Sequence, residues 1–165
     1  MERILKDWKE NRYKEEEANA IFLKSLKQEK GVDEAAQQLH EEVFNEVDCL
    51  GCANCCKTTP PVVTKKDIKR IAKHLGITPK AFIRKYVIDD LTGDLVLSTV
   101  PCVFLEPDNA CSIYEVRPTA CAGYPFTDVD HFTRRTYLHT ANTIVCPATF
   151  EIVKRLKEKF DNYDI

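Results

Sequence analysis

The residues of this chain with the clearest capacity for chemistry are its eight cysteines. Four of them fall within eight residues: Cys49, Cys52, Cys55 and Cys56. The other four follow at wider intervals: Cys102, Cys111, Cys121 and Cys146. In a reducing compartment, thiols clustered in this way bind metal more often than they form disulfides. We therefore expect all eight cysteines to serve as metal ligands, centred on the segment 49–56, here called the knuckle.

The spacing within the knuckle allows two kinds of metal site. A C-x-x-C pair supplies two ligands to a tetrahedral zinc ion, and both Cys49 with Cys52 and Cys52 with Cys55 have this spacing. The overlap of the two pairs favours a polynuclear centre, because one thiolate serves two ions only by bridging them. Three cysteines so spaced, with a remote Cys-Pro such as Cys146-Pro147, are typical of iron–sulfur ligation. The predicted cofactor is iron, as an iron–sulfur cluster, or zinc.

The remaining cysteines form a second candidate set: Cys56, Cys102, Cys111 and Cys121. Neighbouring side chains such as those of Cys55 and Cys56 point in different directions in most backbone conformations. These two are therefore expected to serve different ions, or opposite sides of one polynuclear centre. Two sets of four is the simplest division of eight thiolates, although spacing alone does not assign the ligands.

Other polar residues near the cysteines have weaker signals. Arg117 lies between Cys111 and Cys121, so its guanidinium is a candidate cofactor-binding group that offsets thiolate charge or donates to sulfur. The same side chain could equally bridge loops through backbone carbonyls. Asp67 is expected to cap a helix rather than to bind metal. The histidines are expected to lie outside the ligand set: His40, His74, His131 and His139.

Length and composition exclude several classes of protein. A chain of 165 residues, 44% apolar and 30% charged, is expected to fold as one domain. The net charge of −2 provides no overall positive field for a phosphate backbone, so no nucleic acid partner is expected. The N-terminus lacks the apolar core of a signal peptide, and no apolar run approaches the roughly 20 residues that span a bilayer. The expectation is a cytoplasmic protein that does not enter a membrane.

The elements that must position the cysteines are mostly helices. Apolar residues at helical spacing predict one helix over 2–28 and a second over 32–47, which leads into the knuckle. The sequence Cys146-Pro147 opens a last helix. The fold class predicted is mainly α, or α+β with small short strands, with helices packed around a cysteine-rich, loop-rich metal-binding centre. Residues 1–47 are expected to form N-terminal amphipathic helices, and 48–165 a cysteine-cluster domain packed against them as one compact unit.

The middle of the chain alternates helix and strand signals. Thr64-x-x-Asp67 predicts a capped helix that ends at Gly76, and Thr78-Pro79 predicts the start of another. Strand-forming residues then predict extended segments over 87–91, 95–100, 103–105, 111–114 and 132–138. Turn residues between 105 and 111 place Cys102 and Cys111 on opposite sides of a tight reversal. A single helical turn is expected over 115–120, before Cys121.

Several spaced blocks resemble those of the YkgJ-type cysteine-cluster family of bacterial proteins. The blocks are Cys49-x-x-Cys52-x-x-Cys55-Cys56, Pro101-Cys102-Val103-Phe104-Leu105, Cys111-Ser112-Ile113-Tyr114-Glu115-Val116-Arg117-Pro118, and Cys121 with Gly123-Tyr124-Pro125-Phe126. The resemblance extends from about Asp48 to Pro147 and implies a domain that chelates zinc or iron through these cysteines. A similar motif occurs in flagellin lysine-N-methylase. Many relatives have arginine where this chain has Ala122, so no role for that arginine is carried over.

Three functions follow from this pattern. The first is a metal-binding protein, with a metal ion as its predicted partner. The second is a metal-dependent enzyme with methyltransferase-like or redox activity, which fold-level analogy alone supports. The third is a zinc-stabilised protein-interaction module. The sequence contains no nucleotide-binding glycine loop and no convincing Ser/His/Asp constellation, so it assigns no catalytic residue.

Overall fold

A computed structural model describes residues 1–160, so the last five residues of the second predicted domain, 161–165, lie outside the described part. The fold is mainly helical with a small two-stranded antiparallel sheet, as the sequence predicts. In chain order the helices are α1 (Glu2–Asn11), α2 (Glu16–Ser25), α3 (Val32–Glu46), α4 (Cys49–Cys52), α5 (Asn54–Thr58), α6 (Lys65–His74), α7 (Pro79–Tyr86), α8 (Thr119–Gly123), α9 (Thr136–Val145) and α10 (Pro147–Phe160). The strands are β1 (Val87–Asp89) and β2 (Leu95–Leu97).

Backbone contacts divide the chain into two units. The helical unit comprises residues 1–48 and the chain from Pro125 onward, and it contains α1 to α3, α9 and α10. The cysteine unit is Cys49–Tyr124 and contains the remaining helices and both strands. Each unit has its own cluster of buried apolar side chains. The cysteine unit is therefore an insertion, in sequence, between two segments of the helical unit.

The core of the helical unit is formed largely by apolar stripes on α3 and α10. Leu39 and Val43 are buried on α3, and Ile152, Val153 and Leu156 are buried on α10. Burial of each large apolar side chain contributes roughly 1.5–3 kcal/mol. The helix predicted over 32–47 is confirmed, as is the helix opened by Cys146-Pro147. These stripes are what hold the unit together.

The single helix predicted over 2–28 is wrong, because the structure breaks it between α1 and α2. None of the four intervening residues, 12–15, is buried, so no core contact favours a continuous helix there. Instead, the Arg12 guanidinium lies 4.1 Å above the Trp8 ring and donates to the Ile144 carbonyl at 3.2 Å. The break thus allows Arg12 to cover Trp8 and to contact α9.

The strand predicted over 132–138 is also wrong. The structure has a 3-10 turn at Phe132–Arg135, followed directly by α9. Phe132 and His139 are both buried, and their rings stack with centroids 4.0 Å apart and planes at 11°. Seven residues are about two helical turns, so a helical backbone brings these two side chains onto one face. Burial of this aromatic pair outweighs the β propensity of the segment.

Two helices of the cysteine unit begin as the sequence predicts. At the start of α6, the Thr64 hydroxyl accepts from the Asp67 N–H at 3.1 Å, and the Asp67 carboxylate accepts from the Thr64 N–H at 2.9 Å. At the start of α7, the Thr78 hydroxyl accepts from the Ala81 N–H at 3.2 Å, next to Pro79 in the first turn. Both caps satisfy amides that a helix start leaves without partners.

The predicted hairpin is confirmed, with shorter strands than the sequence indicates. Strands β1 and β2 pair in antiparallel register, with Val87 opposite Leu97. Beneath them Phe82 is fully buried, and its ring stacks against that of Phe104 with centroids 6.4 Å apart. The strand predicted through Tyr114 does not form, because Tyr114 begins a 3-10 turn. The reversal before it is held by an isolated bridge between Leu105 and Cys111.

Candidate metal centre

The knuckle consists of two short helical turns, α4 and α5, joined at Ala53. Ala53 has a φ of 48°, an uncommon conformation for a residue with a Cβ, and its side chain is buried. Two hydrogen bonds from outside α4 fix its backbone: Lys57 donates to the Cys52 carbonyl at 3.2 Å, and Asn109 donates to the Leu50 carbonyl at 2.7 Å. The knuckle is thus a folded element tied to the turn that separates Cys102 from Cys111.

The segment after β2 returns two more cysteines to the knuckle. The Cys102 N–H donates to the Cys56 carbonyl at 2.8 Å, which aligns the two backbones. Across the reversal, the Ser112 N–H donates to the Phe104 carbonyl at 2.9 Å, and Asn109 takes a φ of 66° in the turn. Asparagine tolerates this left-handed conformation better than most residues do. Cys102 and Cys111 therefore flank the reversal, as the sequence predicts.

Cys121 lies on α8, and a buried carboxylate holds the first residue of this helix, Thr119. One oxygen of Asp67 accepts from the Thr119 N–H at 3.1 Å and from the Thr119 hydroxyl at 2.8 Å. The same oxygen accepts from Arg70 at 2.8 Å, while the other oxygen caps α6 through Thr64. Arg70 also donates to the Arg117 carbonyl. Asp67 thus links the start of α6 to the backbone two residues before Cys121.

The pKa values of four thiols show that they interact. Burial raises the pKa of Cys121 to about 12, and the charges of Cys56, Cys102 and Cys111 raise it further. Burial also raises the pKa of Cys102 and of Cys111, with Cys56 adding to each. A hydrogen bond with Cys55, aided by the charge of Lys57, lowers the pKa of Cys56 to about 7. These four, Cys56, Cys102, Cys111 and Cys121, are called here the thiol quartet.

The thiol quartet has the ligand types of a metal site, but its side chains are not arranged around a common point as metal ligands are. Among residues 1–160, no three Cys, His, Asp or Glu side chains are arranged as a ready-made site for an ion. The donor set nevertheless suits zinc or iron, which bind thiolate sulfur. The amides of Phe104 and Leu105 donate toward the Cys102 sulfur, and that of Ile113 donates toward Cys111. Such donors stabilise thiolate ligands, so the residues present fit a bound cation.

Arg117 acts near the quartet through its charge. Its guanidinium lies 3.9 Å above the Tyr114 ring and donates to the Tyr114 carbonyl at 2.9 Å. The same charge favours the ionised forms of Cys111 and Cys121, whose pKa values it lowers against the effect of burial. The electrostatic role of Arg117 therefore has a counterpart in the structure, whereas its bond to the Tyr114 carbonyl stays within one short segment and bridges no loops. Binding of a cofactor by Arg117 stays a prediction.

The remaining cysteines fall in different places. Cys49, Cys52 and Cys55 lie on the knuckle in the cysteine unit. Cys146 belongs to the helical unit, where it is partly buried against that unit's core just before α10. No disulfide joins any of the eight cysteines, all of which lie within the described residues. The grouping of Cys146 with the knuckle therefore stays a prediction from spacing.

The histidines have other surroundings. His40 shares a hydrogen bond of 2.8 Å with Thr127 and stacks on Phe44. His139 is fully buried in the helical unit, and His74 and His131 are exposed. His74 is the member of the four that belongs to the cysteine unit, and it lies at the end of α6. A ligand set made of cysteines alone stays a prediction.

The sequence did not reveal that two residues, Asp67 and Asn109, also position the elements that carry the cysteines. The capping signal identified Asp67, but its hydrogen bonds to Thr119 join residues 52 positions apart and have no sequence signature. Asn109 was identified as a turn residue, and its bond to the Leu50 carbonyl spans 59 positions. Such long-range polar contacts depend on the packing of the whole unit.

Within residues 1–160, no helix has both the length and the apolar character needed to cross a membrane.

Comparison with known proteins places the cysteine unit in a described family. The model of the CxxCxxCC family, described as "Putative zinc- or iron-chelating domain", matches residues 48–146, more than half of the chain. The match confirms the resemblance that the cysteine blocks indicate. A protein of the archaeon Methanocaldococcus jannaschii, described as uncharacterized, is 35% identical over 82 residues. That match covers 48% of this chain and 44% of the relative, so this chain spans less than half of the relative's length. No solved structure gives a significant match.

Proposed function

The chain belongs to the CxxCxxCC family, and from this premise we propose that it is a cytoplasmic metal-binding protein that holds a zinc or iron ion on the thiol quartet. The ligands are the sulfur atoms of Cys56, Cys102, Cys111 and Cys121. The observation that carries the proposal is that the charge of Cys56 raises the pKa values of Cys102, Cys111 and Cys121. Groups from four separate positions in the sequence interact in this way only when the fold brings them near one another.

The fold supports this site by preparing its ligands. The bond from the Cys102 N–H to the Cys56 carbonyl sets the spacing of two ligands, and the reversal through Asn109 sets the position of Cys111. Asp67 anchors the start of α8, the helix that carries Cys121. Four thiolates around one divalent ion leave an excess of negative charge, which the backbone amides and Arg117 offset. A bound ion supplies the positive charge that lets closely placed thiols ionise together.

The knuckle cysteines provide a second proposed site. Cys49, Cys52 and Cys55 have the overlapping spacing that favours an iron–sulfur cluster. The folded backbone of α4 and α5 supports this assignment, because it gathers the three residues on consecutive short turns. The reducing cytoplasm is the compartment in which such thiols remain available as ligands.

The experiment that tests the proposal measures metal content and visible absorption of protein purified under reducing conditions. We expect stoichiometric zinc or iron. Cys121→Ser should abolish the metal of the quartet and leave any metal of the knuckle, whereas Cys52→Ser should have the opposite effect. Metal content unchanged by Cys121→Ser would overturn the quartet site. A colourless protein with stoichiometric zinc and no iron or sulfide would overturn the cluster.

A further inference from the structure

Positive charge is concentrated on the two longest helices of the cysteine unit. Residues 65–86, here called the basic hairpin, comprise α6, the turn 75–78 and α7. They contain six lysines and two arginines but one acidic residue, a formal charge of +7 in a chain whose total is −2. The whole-chain charge therefore conceals a strongly basic segment. This concentration is independent of the metal centre.

Apart from Arg70, the cations of the basic hairpin point to solvent and form no ion pair within the described residues. The exposed ones are Lys65, Lys66, Lys69, Lys73, Lys80, Arg84 and Lys85. Within the described residues, none of these seven forms an ion pair with a carboxylate. The acidic residue of the segment, Asp67, is buried and already bound to Arg70, Thr64 and Thr119. No internal contact therefore neutralises the exposed charge.

The backbone arranges these cations in rows. The apolar residues Ile68, Ile71 and Phe82 point into the core of the unit, which leaves the charged faces of both helices outward. Gly76, with a φ of 67°, closes the short turn between the helices. Lys65, Lys69 and Lys73 follow one another at intervals of four residues, so they rise by about 6 Å each along one face of α6. Two helices joined by a short glycine-containing turn are a common DNA-binding arrangement.

We propose that the basic hairpin binds nucleic acid through contacts of its lysines with backbone phosphates. A spread of separate point charges suits a polyanion, which presents a phosphate at regular short intervals. An acidic protein partner is less well matched, because lysine is depleted in protein–protein interfaces whereas arginine and aromatic residues are enriched. The contacts carry no sequence specificity, since lysine–phosphate contacts position a protein without reading bases. The net charge of the chain led to the expectation that it has no nucleic acid partner, and this proposal replaces that expectation. It does not rest on metal binding.

The test is fluorescence anisotropy of a labelled DNA duplex, and of one of its strands, with the full-length protein as purified over a range of salt concentrations. We expect binding that weakens steeply with salt. The variant Lys65→Gln, Lys69→Gln, Lys73→Gln should lower the slope of log affinity against log salt by about 3 and weaken binding at least about tenfold at low salt. The matched control is Lys24→Gln, Lys27→Gln, Lys30→Gln, which removes the same charge from exposed positions of the helical unit.

Comparison of the two triple variants, and of DNA with other polyanions, supports or overturns the proposal. Binding that the control preserves and the row variant loses supports it, with the duplex or the strand identified by the tighter complex. Equal losses in both triple variants would overturn it, because they would show that only net charge matters. Stronger retention of the protein by polyglutamate or by anionic phospholipid vesicles than by either DNA would overturn it in favour of an acidic protein or a membrane surface. Circular dichroism and metal content should be unchanged in both variants, which separates this test from that of the metal site.

Discussion

The carboxylate of Asp67 accepts hydrogen bonds from both the backbone N–H and the hydroxyl of Thr119, at 3.1 and 2.8 Å. Burial alone would raise the pKa of Asp67, but hydrogen bonds from Thr64, Arg70 and Thr119 outweigh it and hold that pKa well below its usual range. The side chain is fully buried. A charged group in this position joins the start of α6 to the start of α8, the helix that carries Cys121, so it couples the fold of the cysteine unit to its proposed metal site.

Substitution Asp67→Ala should therefore affect both stability and metal binding. Loss of these bonds leaves Arg70 and the Thr119 N–H without their acceptor, so we expect unfolding to become easier by about 3 kcal/mol. We also expect metal affinity to fall by about tenfold or more, as it does when residues that orient ligands are removed. Urea unfolding and competition with a metal-binding dye measure the two effects.

Asp90→Ala is the matched control for Asp67. Asp90 also accepts from a threonine, Thr92, and from a nearby backbone N–H. It lies, however, in the exposed turn between β1 and β2 and bonds only within that turn. Its removal should leave metal affinity unchanged. Equal losses of affinity in the two variants would contradict a positioning role for Asp67.

Acid should destabilise the helical unit through His139. Burial, aided by the charge of Arg135, lowers the pKa of His139 to about 4 from an ordinary value of 6.5. Neither ring nitrogen has a hydrogen-bond partner within the described residues, since a contact with the Phe132 backbone falls short of that geometry. The folded state keeps this imidazole neutral while the unfolded chain binds a proton. Stability is therefore complete above pH 6.5 and declines by about 3 kcal/mol as the pH falls to 4.

The variant His139→Leu tests this pH dependence. It retains an apolar side chain in the core and removes the titrating group, so the difference in urea midpoint between pH 7 and pH 4.5 should shrink. His74→Gln, at an exposed position, is the control and should keep the wild-type difference. A His139→Leu protein with the same loss of stability in acid as the wild type would show that other groups cause it.

Phe82 should be the most sensitive apolar position of the cysteine unit. Its ring is fully buried and packs against those of Tyr86, at 5.2 Å, and Phe104, at 6.4 Å. Phe82→Ala would leave a cavity and should cost about 3–5 kcal/mol in urea unfolding. The adjacent Ile83 is 42% exposed, so Ile83→Ala should cost less than about 1 kcal/mol. Similar costs at the two positions would contradict the core assigned to this unit.

Metal removal should affect the two units differently. The cysteine unit draws part of its proposed stability from the bound ion, whereas the helical unit has a large apolar core of its own. A chelator added under reducing conditions should therefore lower the melting temperature of the calorimetric transition of the cysteine unit. The transition of the helical unit should stay unchanged. A single transition that does not move on chelation would contradict a structural role for the metal.

Local signals in the sequence predicted much of the fold because they act over a few residues. The capping box at Thr64 and Asp67 and the Thr78-Pro79 helix start are both confirmed. The failures occurred where a side-chain contact in the packed chain outweighed a local preference. The segment 132–138 has strand-forming residues, yet the stacking of Phe132 on His139 makes it helical. The break after α1 similarly depends on the contact of Arg12 with the Ile144 carbonyl.

By itself, the sequence determined that this is a mainly helical chain of the cysteine-cluster type, because ligand chemistry and cysteine spacing are properties of residue order. Only the tertiary structure decided that the thiols of Cys56, Cys102, Cys111 and Cys121 interact, and that Asp67 holds the start of the helix that carries Cys121. It also decided that the lysines of residues 65–86 are exposed. The physical reason is that thiol ionisation, buried hydrogen bonds and surface charge depend on distances in space, which only the packed chain sets.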